Sequence, residues 1–165
     1  MALHQEHIHP LVLRDLDHRV IPEAEMRRFE GYMAEIFAAL RMDASPSTAD
    51  TPRRYLRGLI EATRGYDGDT KLMTVFDSEY EDEPESRANQ VIEGPIRFYA
   101  LCEHHALPFF GEAWVGYIPG EQILGISKLV RLVQVFARRF TLQERLGEEV
   151  AGALEGMVAP RGVAV

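Results

Sequence analysis

Cys102, His104 and His105 fall within four residues, in the stretch "CEHH". Thiolate and imidazole together are the donors that zinc prefers, and a catalytic zinc takes three protein ligands plus a water. The geometry of the backbone decides which donors can meet. In a strand, residues two apart share a face, so Cys102 and His104 would point together. In a bend, positions i and i+3 converge, and Cys102 would meet His105 instead. A strand leads into this motif and Pro108 follows it, which suits a bend; Glu103 and His104 would then be left for other work. On spacing alone the alternative is a buried cysteine beside incidental histidines. A second histidine set, His4, His7 and His9, lies near the N-terminus, where incidental histidines in a loose arm are the simpler reading.

Two further stretches could carry chemistry. "SKLVRLVQVFARRF" holds Lys128, Arg131, Arg138 and Arg139 and contains no acid. Such a cluster can bind a small polyanion, although a solvated basic helix face has the same composition. Further on, Thr141 and Glu144 have the spacing of a capping box, in which the glutamate closes a helix N-terminus.

The elements that must position these residues follow from periodicity. Residues 21–40 predict a helix, with Pro22 in its first turn and Phe29, Met33, Ile36, Phe37 and Leu40 as its apolar stripe. Thr51–Pro52 starts a second helix, which Gly65 should stop. The acid-rich segment from Asp77 to Gln90 reads as an exposed loop. Ile96, Phe98, Ala100 and Cys102 then alternate with Arg97, Tyr99 and Leu101, and Ala113, Val115 and Tyr117 alternate with Trp114, Gly116 and Ile118. These read as two antiparallel strands joined by the segment that carries the histidines. Two helices follow, one burying Leu129, Leu132, Val133 and Phe136, the other opening at Thr141 and burying Leu142, Leu146, Val150, Ala153, Leu154 and Met157. The final "VAV" reads as a strand.

Composition narrows the field. A chain of 165 residues, 46% apolar and 27% charged, fits a single globular domain. Residues 1–20 form a flexible arm in this reading and residues 21–165 the domain, with a helical part over 21–65 and the site-bearing part over 91–165. The net charge of −8 argues against nucleic-acid binding, which depends on neutralising phosphates. One cysteine leaves no internal disulfide framework and fits a cytoplasmic location. The N-terminal residues lack the pattern of a signal peptide, and no apolar run approaches the ~18 residues of a membrane span.

Taken in order, these blocks resemble the GTP cyclohydrolase I family. "CEHHALPFFGEAWVGYIPG" followed by "ILGISKLVRLVQVFARRFTLQERL" is similar to that family's CEHH-x-x-P-F-x-G, L-G-[LI]-S-K-x-x-R and Q-E-R-L blocks, and "TPRRYLRGL" resembles its T-P-x-R helix. The likeness extends over roughly residues 22–165. It implies an α+β tunnelling fold, an antiparallel sheet backed by two antiparallel helices, after an N-terminal helical part. It also implies zinc-dependent conversion of GTP and water to 7,8-dihydroneopterin triphosphate and formate, the first step of folate and pterin synthesis. By the same resemblance Cys102 and His105 are zinc ligands and His104 is the catalytic acid/base. Arg54, Ser127, Lys128 and Arg131 hold the triphosphate, Gln143 lies near the ribose, and Glu144 reads the guanine edge. The family's third zinc ligand, a second cysteine, is expected beyond residue 165, so the site-bearing part reads as truncated at its C-terminal side. Family members form ring-like homo-oligomers, typically a decamer of two pentamers. Two alternatives stand beside this reading: a non-catalytic homologue that binds GTP without turnover, and another purine or pterin enzyme of the same fold.

Overall fold

The computed structural model describes residues 19–42, 45–77 and 90–165. The histidine set at His4, His7 and His9 and nearly all of the acid-rich loop lie outside the described residues. The N-terminal helical part consists of α1 (Glu23–Ala39) and α2 (Thr51–Ala62), followed by a 3-10 turn over Arg64–Asp67 and another over Thr70–Met73. Pro22 stands just before α1 with extended ψ, as its fixed ring favours at a helix entry. Asp50 precedes α2, and Pro52 occupies its first turn, where a missing N–H costs nothing.

Neither α1 nor α2 contains a buried residue. The predicted stripe of α1 forms, but Ile36 and Leu40 remain exposed. The stop predicted at Gly65 comes three residues earlier, because the chain tightens into the 3-10 turn to bring Gly65 against α3 (Ile126–Ala137). There Gly65 N donates to Arg138 O (2.9 Å), and an added Cβ would lie 2.0 Å from Val135 O. Arg19 anchors the chain to the same turn, its Nε 2.9 Å from Asp67 Oδ1 and its Nη2 donating to Thr63 O at 2.7 Å.

The central sheet has the order β5-β2-β3-β6, built from β2 (Val91–Cys102), β3 (Pro108–Ile118), β5 (Phe140–Thr141) and β6 (Gly162–Ala164). β2 and β3 pair antiparallel as their alternation predicts, Ile96 opposite Ala113 and Leu101 opposite Pro108. The register shifts between Glu93 and Ile96, where Pro95 cannot donate to the ladder. β6 adds antiparallel to β3, while β5 adds parallel to β2, so the sheet is mixed at one edge. A separate two-stranded ribbon joins β1 (Phe76–Asp77) to β4 (Gln122–Ile123).

One face of the sheet carries the core. Ile96, Phe98, Ala100, Val115 and Tyr117 meet Leu129, Leu132, Val133 and Phe136 of α3 and Leu146, Val150, Ala153, Leu154 and Met157 of α4 (Gln143–Val158). The predicted apolar faces of both helices are buried except at Leu142, which is half-buried and precedes α4 as its N-cap. The alternate positions of the strands leave Ile92, Tyr99, Phe110 and Trp114 exposed.

Candidate functional site

β2 ends at Cys102, and a turn over Glu103–His105 leads toward β3. Cys102 N donates to Leu107 O and Ala106 N to Cys102 O, both at 2.8 Å, with Ala106 in the left-handed region (φ 55°). This closure is a bend, and it brings Cys102 Sγ to 3.6 Å from His105 Nδ1. Zinc bonds of ~2.3 Å to sulfur and ~2.0–2.1 Å to nitrogen, set at a tetrahedral angle, separate two donors by about 3.6 Å. The pair therefore fits two corners of a zinc site in both donor chemistry and spacing. Among the described residues no group of three or more His, Cys, Asp and Glu side chains gathers as a metal would require. His104 points elsewhere, its ring perpendicular to that of His105 and its Nε2 3.9 Å from Glu103 Oε1.

The basic cluster starts α3. Gly125, not Ser127, is the N-cap, so Ser127 lies inside the first turn with an exposed side chain rather than serving as the cap. Lys128 and Arg131 are one turn apart, and both are already engaged by the segment before β2. Lys128 Nζ donates to Thr74 O and lies 5.1 Å from the centre of the Phe76 ring. Desolvation there holds its ammonium below the usual lysine range. Arg131 Nη1 is 3.0 Å from Asp69 Oδ2. A cavity of about 450 Å³ opens beside this pair, with Arg64, Arg138, Asp67 and Gln134 also in its wall. Arg54 is not joined to them. Its guanidinium turns back onto the loop before α2, donating to Ser47 O at 2.9 Å.

The third group sits at the start of α4. Thr141 belongs to β5, Leu142 is the N-cap, and the Thr141 hydroxyl donates to Leu142 O, so the capping box does not form. A leucine cannot cap, which leaves Gln143 and Glu144 exposed in a first turn without a side-chain cap. β5 holds this turn against the cysteine strand: Cys102 pairs with Thr141, and Glu103 N donates to Thr141 O at 3.2 Å. Arg145 adds a two-pronged bond to Glu103, Nη2 to Oε1 at 3.0 Å and Nη1 to Oε2. That partner raises the arginine above its usual range.

The structure thus joins Cys102 with His105, and the turn that carries them with the helix start that carries Gln143 and Glu144. Asp69, Thr74, Phe76 and Arg145 take part in these arrangements without having been singled out by sequence, and Glu103 had been named only as left for other work. Local signal existed only for Asp69, whose carboxylate accepts from Lys71 N as the cap of a 3-10 turn.

A sequence model of GTP cyclohydrolase I matches residues 29–165. The chain is 37% identical over 141 residues to GTP cyclohydrolase 1 of Saccharomyces cerevisiae, across 85% of this chain and 57% of that protein. It is 44% identical over 115 residues to GTP cyclohydrolase 1 of Deinococcus radiodurans, across 70% of this chain and 51% of that protein. With the Porphyromonas gingivalis protein of the same name, identity is 36% over 147 residues, 87% of this chain and 72% of the relative. The chain spans just over half the length of the first two of these relatives.

Proposed function

The chain belongs to the GTP cyclohydrolase I family and has its α+β tunnelling fold, and on that premise we propose that it converts GTP and water to 7,8-dihydroneopterin triphosphate and formate. The observation that carries the proposal is the 3.6 Å approach of Cys102 Sγ to His105 Nδ1, with His104 beside it but directed to Glu103.

In this reading Cys102 and His105 hold zinc, with the third protein ligand expected from sequence beyond residue 165. Bound zinc supplies Lewis-acid activation of water near neutral pH. His104 moves the protons, giving one to the imidazole ring of guanine as C8 is attacked and recovering it afterwards, since an imidazole can both donate and accept. Glu144 accepts two hydrogen bonds from guanine N1–H and the 2-amino group, a pair that adenine does not offer. Gln143 lies toward the ribose. Ser127, in the first turn of α3, meets the triphosphate where free N–H groups favour anions. Lys128, Arg131 and Arg54 supply the positive charge. For Arg54 this requires release from Ser47 O.

The exposed apolar face of the sheet (Tyr99, Phe110, Trp114) and the exposed Ile36 and Leu40 support a homo-oligomer, for which the family's ring, a decamer of two pentamers, is the proposed form. Among the described residues no helix is long and apolar enough to cross a membrane. That and the single cysteine fit the proposed cytoplasmic location.

Incubating the full-length protein with zinc and GTP should release formate and, after oxidation, a fluorescent pterin. Zinc-loaded protein that binds GTP in a calorimeter yet releases no formate would overturn the catalytic assignment and leave a nucleotide-binding homologue.

A further inference from the structure

The Glu103–Arg145 pair joins residues 42 positions apart, one inside the metal-donor turn and one in the first turn of α4. Glu103 is flanked by Cys102 and His104, and Arg145 follows Glu144 directly. Both carboxylate oxygens are used, so the contact fixes an orientation as well as a distance. As a stabiliser it is weak. The side chains are 26% and 46% exposed, and ion pairs in that setting contribute little to folding. What it can do is geometric. The first turn of α4 has Leu142 at its cap position and therefore no side-chain cap, and turns left this way fray. The arginine fork replaces the missing cap with a tether to the turn beyond β2.

We propose that Glu103 and Arg145 are positioning residues: their ion pair holds the first turn of α4, and with it the Glu144 carboxylate, in fixed register with the Cys102–His105 turn. The inference rests on the assignment of Glu144 as the reader of guanine. Loss of the tether leaves the triphosphate contacts of α3 untouched and loosens selection of the purine edge. A lysine at position 145 keeps the charge but not the fork, and so restores only part of the effect.

The test measures equilibrium binding of GTP and of inosine triphosphate, which lacks the 2-amino group, to the zinc-loaded full-length protein. Wild type is expected to prefer GTP. Arg145→Ala should cut that preference about twofold to fivefold, because GTP loses both of the Glu144 hydrogen bonds while inosine triphosphate, which keeps N1–H, loses one and weakens less. Arg145→Lys, an exposed change that leaves the fold intact, should fall between them, and Glu103→Gln combined with Arg145→Ala should lose no more than either alone. An unchanged preference in both position-145 variants, or additive losses in the double variant, overturns the positioning role while the guanine reading stands. A wild-type protein that binds both nucleotides equally overturns the guanine reading, and the positioning role with it.

Discussion

Asp69 occupies the guanidinium that the proposed triphosphate needs. Its Oδ2 lies 3.0 Å from Arg131 Nη1, with the side chains 21% and 42% exposed, so the pair is partly wet and screened. Exposed pairs of this kind contribute about 0.2–1 kcal/mol. Releasing Arg131 from it should therefore favour a competing phosphate by about the same amount, or about 1.4-fold to fivefold in affinity. Asp69→Asn is the suitable perturbation, because Asp69 also accepts from Lys71 N at 2.9 Å as a turn cap and asparagine caps equally well. The 3-10 turn should survive while the competing charge is lost. Calorimetric titration with GTP should show tighter binding in Asp69→Asn at low salt, and the gain should shrink as ionic strength rises. Guanosine, which carries no phosphate, should bind both proteins equally. In the Arg131→Ala background the substitution should bring little gain. Weaker GTP binding by Asp69→Asn would refute the reasoning, since it would mean that Asp69 aims Arg131 at the phosphate rather than competing for it.

Other outcomes follow from the same contacts. Gly65→Ala places a methyl 2.0 Å from Val135 O and 2.6 Å from Arg138 O, so the turn must move away from α3. That breaks the Gly65 N–Arg138 O bond and the buried Arg139 Nε–Gly65 O bond, for a loss of about 2–4 kcal/mol in urea unfolding. Gly58→Ala is the opposite case. Nothing lies within 4 Å of the added carbon in the middle of α2, and the same measurement should show a gain of about 0.5–1 kcal/mol. Glu144→Gln should lower GTP affinity at least about tenfold with an unchanged melting temperature, because Glu144 is exposed and is not part of a capping box. A matched fall in melting temperature would return it to a structural role. Cys102→Ser should weaken zinc binding, read with a chromogenic chelator, by at least about tenfold, whereas His104→Ala should leave zinc affinity nearly unchanged.

What could be read from the sequence was whatever depends on short spacing. Alternation over residues 96–102 and 113–118 specifies two half-buried strands, because a pleat sends successive side chains to opposite faces. The stripe Leu129, Leu132, Val133 and Phe136 specifies the buried side of α3 for the equivalent helical reason. The i, i+3 approach of Cys102 and His105 belongs to the same class, although spacing alone left the strand pairing of Cys102 with His104 open. The misreadings fall where a local motif competed with tertiary pairing. Thr141-x-x-Glu144 has every residue of a capping box, yet parallel pairing beside Cys102 and the bond from Glu103 N to its carbonyl draw Thr141 into β5 and move the cap to Leu142.

Contacts between distant positions were beyond any such reading, and they hold most of what is specific about the site. Lys128 and Arg131 look from the sequence like free cations on a solvated helix face. In the fold each meets a residue more than fifty positions earlier, Thr74 for one and Asp69 for the other. The polar groups of this segment thus satisfy both cations while no phosphate is bound, which limits the cost of holding two like charges one turn apart. The proposed triphosphate would therefore exchange partners rather than enter an empty cradle, and the net gain would be the difference between two sets of charge-assisted bonds. The carbonyl of Thr74 is a neutral acceptor and yields to phosphate more easily than the carboxylate of Asp69. Lys128 should accordingly contribute more to triphosphate affinity than Arg131, so that Lys128→Ala weakens GTP binding more than Arg131→Ala does. The reverse order would mean that the Asp69 contact persists beside the bound nucleotide.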